Sequence, residues 1–89
     1  MEPVTRKYVE GVVIDTLKEV PGLPVEEVSL DASYEGDMGL DSIDTVEIAV
    51  ELENHFRDYG FPGFDDDDVA SLRTPRKTVD YIMENVRKA

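Results

Sequence analysis

The chain has 89 residues, of which 21 are acidic and 9 are basic, and its formal net charge is −12. A chain this short can bury one modest core, so we expect residues 1–89 to form a single domain rather than a multi-domain enzyme. The absence of cysteine excludes a disulfide framework and a cysteine-ligated zinc site. The strong negative charge disfavours binding to nucleic acid and favours partners with basic surfaces.

The distribution of apolar residues indicates neither a signal peptide nor a membrane span. The start of the chain lacks the apolar run of a signal peptide, and no stretch approaches the length that a bilayer requires. We therefore expect a cytoplasmic protein without membrane insertion. We also expect a monomer.

The first predicted element is an amphipathic helix from about Thr5 to Glu19, which ends at Pro21-Gly22. A helical spacing of three and four relates Tyr8, Val9, Val12, Val13, Thr16, Leu17 and Val20. The helix is amphipathic, so one face should be buried against the rest of the domain.

A long loop follows from Val20 to Asp41, with one short turn predicted after Pro24. Its expected apolar anchors are Leu23, Val25, Val28, Leu30, Tyr34 and Leu40. Loops of this length in compact domains are often functional. This one ends at Asp41-Ser42, which draws attention to that position.

The second predicted helix begins with Asp41 as N-cap and Asp44 three residues later, and continues to about Arg57. At about 100° per residue, one side of this helix forms a core stripe of Thr45, Ile48, Ala49, Leu52 and Phe56.

The same helix carries a second apolar row, the outward row, made of Ile43, Val46 and Val50. Acidic residues flank it, with Asp44, Glu47 and Glu51 on one side and Glu53 on the other. An apolar row with an acidic rim is typical of a docking surface for a partner with a basic rim and an apolar groove. The alternative is that the long loop folds back over Ile43 and Val46.

Two further helices are predicted, a short acidic one from Asp65 to Leu72 and a last one that begins at Thr74-Pro75. The last helix carries Val79, Ile82 and Val86 as core residues. No alternating pattern is long enough to build a sheet. The sequence therefore predicts an all-α, four-helix bundle with a short third helix.

Ser42 lies in the first turn of the second helix, where free N–H groups and the helix dipole favour an attached phosphate. Serine at a helix start is more commonly a capping residue, so its position alone leaves both roles open.

The run from Gly36 to Glu47 resembles the phosphopantetheine attachment signature of acyl carrier proteins, in which Asp-Ser-Leu is the commonest form and Ile43 here replaces leucine. The likeness extends through residues 52–56 and 78–82. It implies a bundle of acyl-carrier type, in which the hydroxyl of Ser42, preceded by Asp41, accepts a 4'-phosphopantetheine arm from coenzyme A.

The resemblance implies a phosphoprotein that holds acyl intermediates as thioesters and presents them to enzymes of fatty-acid, polyketide or related lipid metabolism. Its implied partners are a phosphopantetheinyl transferase and acyl-transferring and condensing enzymes with basic docking surfaces. The implied contacts are Ile43, Asp44, Val46, Glu47, Val50 and Glu53. The alternative is a peptidyl or aminoacyl carrier with the same modified serine. The acidity of the chain and the run Met38–Asp41 argue against it.

The segment from Arg57 to Phe64 is longer and more aromatic than in a typical fatty-acid carrier, which suggests a specialised carrier. Its Tyr59, Phe61 and Phe64 either plug the core or cover the mouth of an acyl pocket. We favour the plug, because aromatic side chains contribute most when they are buried.

A catalytic role for Ser42 would require a base within hydrogen-bonding reach. The only histidine, His55, is thirteen positions later on the same helix, roughly 20 Å along the axis at about 1.5 Å per residue. We therefore expect a non-catalytic carrier, with His55 on the surface.

Four consecutive aspartates, Asp65 to Asp68, lack the alternating pattern and distant glutamate of a calcium-binding loop. We expect no metal site there, and expect Asp65 or Asp66 to cap the third helix instead.

Overall fold

The computed structural model describes residues 4–69 and 71–86, and the ends of the predicted domain lie outside them. The described regular structure is entirely helical and comprises α1 (Arg6–Lys18), α2 (Ser42–Phe56), α3 (Asp66–Val69) and α4 (Pro75–Asn85), with short 3₁₀ turns at Val25–Glu27 and Arg57–Tyr59. The predicted all-α bundle, with its short third helix and long loop before α2, is confirmed.

The helix starts follow from side-chain capping. The Thr5 hydroxyl accepts the N–H of Tyr8 at the start of α1, and Thr74 accepts the N–H of Lys77 at the start of α4, with Pro75 at the first helical position. Each cap satisfies an N–H group that the helix leaves free. The predicted beginnings of these helices are therefore confirmed together with their cause.

The third helix is shorter than the predicted range Asp65 to Leu72. Asp65 caps it as expected, since its Oδ1 accepts the N–H of Asp67 at 2.9 Å. Beyond Val69, however, the N–H groups of Ser71 and Leu72 donate to carbonyls three residues earlier. This tighter pattern is typical of a helix end, so the prediction of a second turn is wrong for Ser71 and Leu72, while Ala70 lies outside the described residues.

The core forms where α1 packs against α2 and α4. Its fully buried aliphatic and aromatic side chains are Val9, Val13, Leu17, Leu52, Phe56, Val79 and Ile82. The alternating spacing of three and four along each helix places these residues on the facing sides, as the sequence predicted.

The long loop contributes its own anchors to this core. Leu23, Tyr34 and Leu40 are buried as predicted. Val25 is 50% exposed, which corrects the expectation that it anchors the loop, because it begins the 3₁₀ turn on the surface. Buried Met38 was not among the expected anchors.

Candidate functional site

Ser42 is the exposed first residue of α2, but it is not the cap of that helix. Asp41 Oδ1 accepts the N–H of Asp44 at 2.9 Å, and Asp44 Oδ2 accepts the N–H of Asp41 at 3.3 Å. This reciprocal capping box satisfies the helix start without the serine hydroxyl. The capping interpretation of Ser42 is therefore wrong, and its hydroxyl is available for modification.

A compact turn in the loop positions this helix start. Ser33 and Asp37 exchange hydrogen bonds, with the Ser33 N–H donating to Asp37 Oδ2 at 2.8 Å and the Asp37 N–H donating to Ser33 Oγ at 3.0 Å. Gly39 then adopts a φ of 70°, a conformation that favours glycine. The side chain of Leu40, the next residue, is buried. The turn and this buried side chain together fix the position of Asp41 and Ser42.

A cavity of about 600 Å³ lies beneath α2, and Ser42 is one of its lining residues. Four members of the core stripe also line it, namely Thr45, Ile48, Ala49 and Leu52. Ten positions separate Ser42 from Leu52, so the cavity follows α2 for roughly 15 Å at about 1.5 Å per residue. Its volume lies within the range of small-molecule pockets, about 300–1,000 Å³.

The rest of the cavity lining comes from the loop, from residues between α2 and α4, and from Thr78 in α4. Hydrogen bonds join the loop to the last two of these. The Tyr34 N–H donates to the carbonyl of Arg73 at 3.0 Å, and the Tyr34 hydroxyl lies 2.7 Å from Thr78 Oγ1. Burial raises the pKa of Tyr34 to about 12. Tyr34 therefore keeps its hydroxyl proton, and the contact with Thr78, to a higher pH than an exposed tyrosine does.

A second link between the loop and α4 lies on the surface. The Arg76 guanidinium donates to both carboxylate oxygens of Asp31, at 2.7 and 3.0 Å, and the hydrogen bond from Arg76 lowers the pKa of Asp31. The Arg76 N–H also donates to the carbonyl of Leu30 at 2.8 Å. The loop is thus fixed to α4 at several points beside the cavity.

The outward row is exposed. Ile43 is 68% exposed, Val46 53% and Val50 47%. The alternative in which the long loop covers Ile43 and Val46 is therefore wrong. Glu47 is also exposed, so an apolar strip with acidic neighbours runs along α2 away from Ser42.

Comparison with known proteins decides the family. A family model described as a phosphopantetheine attachment site matches residues 11–82. The chain belongs to this family of carriers. It is 31% identical over 81 residues to the acyl carrier protein of Chlorobium phaeobacteroides, which covers 91% of this chain and 99% of that protein. It is 33% identical over 79 residues to the acyl carrier protein of Porphyromonas gingivalis, covering 89% and 96% respectively.

A further relative is the meromycolate extension acyl carrier protein of Mycobacterium tuberculosis, which is 34% identical over 82 residues, covering 92% of this chain and 68% of that protein. These similarities establish a carrier that holds acyl groups on a covalently attached 4'-phosphopantetheine. The structure fits that group, since Ser42 is exposed at a helix start whose capping is complete without it. The alternative of a peptidyl or aminoacyl carrier is not favoured.

Glu53 lies in a different environment from the one expected of a rim residue. It is half-buried, and its Oε1 accepts the N–H of Phe64 at 2.8 Å. The acidic side chain therefore fixes the aromatic segment, a role that its position on the helical wheel gives no sign of. The sequence did not predict this contact, because Phe64 is eleven residues from Glu53 and lies in an irregular segment between the 3₁₀ turn Arg57–Tyr59 and α3.

The aromatic side chains of the segment from Arg57 to Phe64 lie in three different environments. Phe61 is buried and contacts the ring of Phe64, with 5.1 Å between ring centroids, so Phe61 is the expected plug. Phe64 is half-buried and lines the cavity. Tyr59 instead packs against Phe56, at 5.9 Å between ring centroids.

His55 is exposed, as predicted, and its Nε2 lies 2.8 Å from the Tyr8 hydroxyl. This contact joins α2 to α1 at the end of α2 away from Ser42. Across residues 4–69 and 71–86, no helix is long and apolar enough to cross a membrane.

Proposed function

We propose that Ser42 carries the phosphopantetheine arm and that the cavity beneath α2 holds the acyl chain between transfer steps. The observation that supports this most is that an exposed hydroxyl, not needed for capping because Asp41 caps the helix, lines a cavity whose surface is mainly apolar. When bound, the arm supplies the thiol that holds the acyl group as a thioester. Ile48, Leu52 and Phe64 supply apolar walls that exclude water from the chain.

The outward row is proposed as the surface that enzymes recognise. Exposed Ile43, Val46 and Val50 offer apolar contact, while Asp44 and Glu47 supply negative charge beside it. Such a surface fits a phosphopantetheinyl transferase and acyl-transferring or condensing enzymes with basic rims, because charge complementarity accelerates encounter. Glu53 contributes charge there as well, in addition to its hydrogen bond to Phe64.

We further propose that the chain acts as one carrier domain and performs no chemistry itself. Its only histidine, His55, is hydrogen-bonded to Tyr8. It lies roughly 20 Å along α2 from Ser42 at about 1.5 Å per residue, which is too far to act as a base for the Ser42 hydroxyl. The carrier would act as a monomer in the cytoplasm and serve a fatty-acid, polyketide or related pathway. These points stay predictions from the sequence.

The attachment site is tested by incubating the protein with coenzyme A and a phosphopantetheinyl transferase, followed by intact-mass measurement. Wild type should gain one arm and Ser42→Ala none. The matched control is Ser71→Ala, which removes another exposed serine and should be modified as wild type is. Modification of a folded Ser42→Ala protein at the wild-type rate would move the attachment to another residue.

A further inference from the structure

Phe64 lies toward the end of the cavity away from Ser42. Its backbone N–H is bonded to Glu53, which is eleven positions beyond Ser42 on α2, or roughly 16 Å along the axis at about 1.5 Å per residue. The Phe64 ring lines the cavity. The segment that carries this ring therefore crosses α2 near Leu52 and Glu53, and the ring shares the cavity with a chain that enters beside Ser42.

Tyr81 packs against the Phe64 ring and holds it in place. The ring stacks on that of Tyr81 in α4, with 5.4 Å between centroids and an interplanar angle of 23°. The Tyr81 hydroxyl in turn accepts the N–H of Asp65 and donates to Asp68 Oδ2, both at 3.2 Å. The ring is thus fixed to α4, and the residues that follow it are fixed to the same tyrosine.

The backbone of Phe64 is held by Glu53 through a close approach that requires glycine. Gly63 has a φ of 109°, and a Cβ at that position would lie 3.2 Å from Glu53 Oε1. The missing side chain leaves room for the carboxylate to reach the Phe64 N–H at 2.8 Å. A half-buried carboxylate that accepts a backbone N–H forms one of the stronger kinds of hydrogen bond.

We infer that Phe64 is a specificity-determining residue that sets the longest acyl chain the cavity can shelter, and that Glu53 is the positioning residue that keeps it in place. This inference rests on the proposed function, since it requires an acyl chain on the arm at Ser42. Chains that end before Phe64 are sheltered completely. Longer chains leave their ends outside the cavity or displace the ring.

The test uses the full chain loaded with arms that carry saturated acyl groups of increasing length, transferred from the corresponding acyl-coenzyme A. Each product is verified by intact mass, and its melting temperature is measured by circular dichroism. In wild type, the melting temperature should rise with each added methylene, because more apolar surface is buried, and should then level off. In Phe64→Ala, the levelling should shift to longer chains. Phe64→Leu provides a smaller change if the alanine variant does not fold.

Three variants separate positioning from general loss of stability. The limit is the acyl chain length at which the melting temperature levels off. Glu53→Ala should shift or blur this limit. Glu53→Gln retains an acceptor oxygen, so it should keep the wild-type limit. Tyr59→Ala removes an aromatic ring from the same segment that packs on Phe56. It should lower every melting temperature without changing the limit.

An unchanged limit in folded Phe64→Ala and Phe64→Leu would overturn the inference, as would a wild-type melting temperature that does not depend on chain length. A limit in Glu53→Gln equal to that of Glu53→Ala would overturn the positioning role of Glu53. All these outcomes leave the attachment itself intact, because the mass measurement shows independently whether Ser42 carries the arm.

Discussion

The two apolar faces of α2 differ in what covers them. The core stripe faces inward, and its Ile48 and Leu52 are 5% and 1% exposed. The outward row has no such cover, since Ile43 is 68% exposed. Both faces have similar aliphatic residues at helical spacing, so hydrophobicity alone does not distinguish them. The distinguishing features are their neighbours, because acidic residues flank the outward row, whereas the core stripe joins a buried cluster with α1, α4 and the loop.

This difference separates two tasks on a single helix of fifteen residues. The inward face shapes the cavity and contributes to stability, and the outward face is proposed to meet partner enzymes. Ser42, at the start of the helix, lies between the two. Val46 belongs to both surfaces, since it is 53% exposed and also lines the cavity. Substitutions at Leu52 and Val50 therefore test the separation more cleanly than one at Val46.

The largest expected effect on stability comes from truncating the inward face. Leu52→Ala should lower the free energy of unfolding by about 2–5 kcal/mol, because it removes a fully buried side chain and enlarges the cavity. The measurement is urea unfolding followed by circular dichroism. Val50→Ala is the outward counterpart and should change stability by no more than about 0.5 kcal/mol. Equal losses in the two variants would contradict the separation of the faces.

A smaller effect is expected at Tyr34, which lines the cavity, and it depends on pH. The folded-state pKa of Tyr34 is about 12, above the value near 10 in an unfolded chain. The folded protein therefore keeps this proton longer than the unfolded chain does. The stability that Tyr34 contributes is complete below about pH 10 and is lost as the pH rises toward about 12.

Tyr34→Phe isolates this contribution, because the other tyrosines titrate in both proteins. Because the folded tyrosine is only half-deprotonated at pH 12, wild type should lose about 2 kcal/mol more unfolding free energy than the variant between pH 9 and 12, at about 1.4 kcal/mol per pKa unit. Urea unfolding at intervals of pH supplies the comparison. At neutral pH the variant should cost about 1 kcal/mol, for the lost hydrogen bond to Thr78. Parallel pH profiles would show that Tyr34 is not buried as the structure has it.

Local sequence signals predicted those parts of the molecule that local chemistry governs. Helical spacing predicted the core stripe and the exposed outward row, and Asp41 and Asp44 predicted the start of α2. The same local signals did not predict the cavity, because Thr45 and Ala49 fit a packed core as well as a cavity wall. Its existence depends on how far the loop and α4 stand from α2, which is a property of the whole fold.

The role of Glu53 was missed for a related reason. Its acidity and its place beside the outward row indicated a rim charge, which stays a proposal. Its bond to the Phe64 N–H depends on the path of an irregular segment, for which the sequence offers glycines but no periodicity. The shorter α3 has a similar origin, since four aspartates and a valine predict a helix start but do not specify where it ends.

The smallest effect on stability, and a distinct effect on rate, is expected from the outward face. Glu47→Lys changes an exposed residue, so the free energy of unfolding should change by no more than about 0.5 kcal/mol. If the acidic rim steers encounter with a basic transferase, the rate of arm installation should fall a few-fold at low salt. The difference from wild type should shrink as ionic strength rises, since salt screens exposed charges beyond about 10 Å at 0.1 M.

The matched control for Glu47→Lys is Asp15→Lys, which makes the same change in net charge at an exposed position on α1. If net charge alone governs the encounter, the two variants should slow modification equally, and the acidic rim has no special role. If the rim governs it, only Glu47→Lys should slow modification at low salt. Val50→Ala completes the comparison, because loss of apolar contact should weaken docking at every salt concentration. A wild-type rate in both Glu47→Lys and Val50→Ala would place enzyme recognition on another surface and leave α2 with its inward task alone.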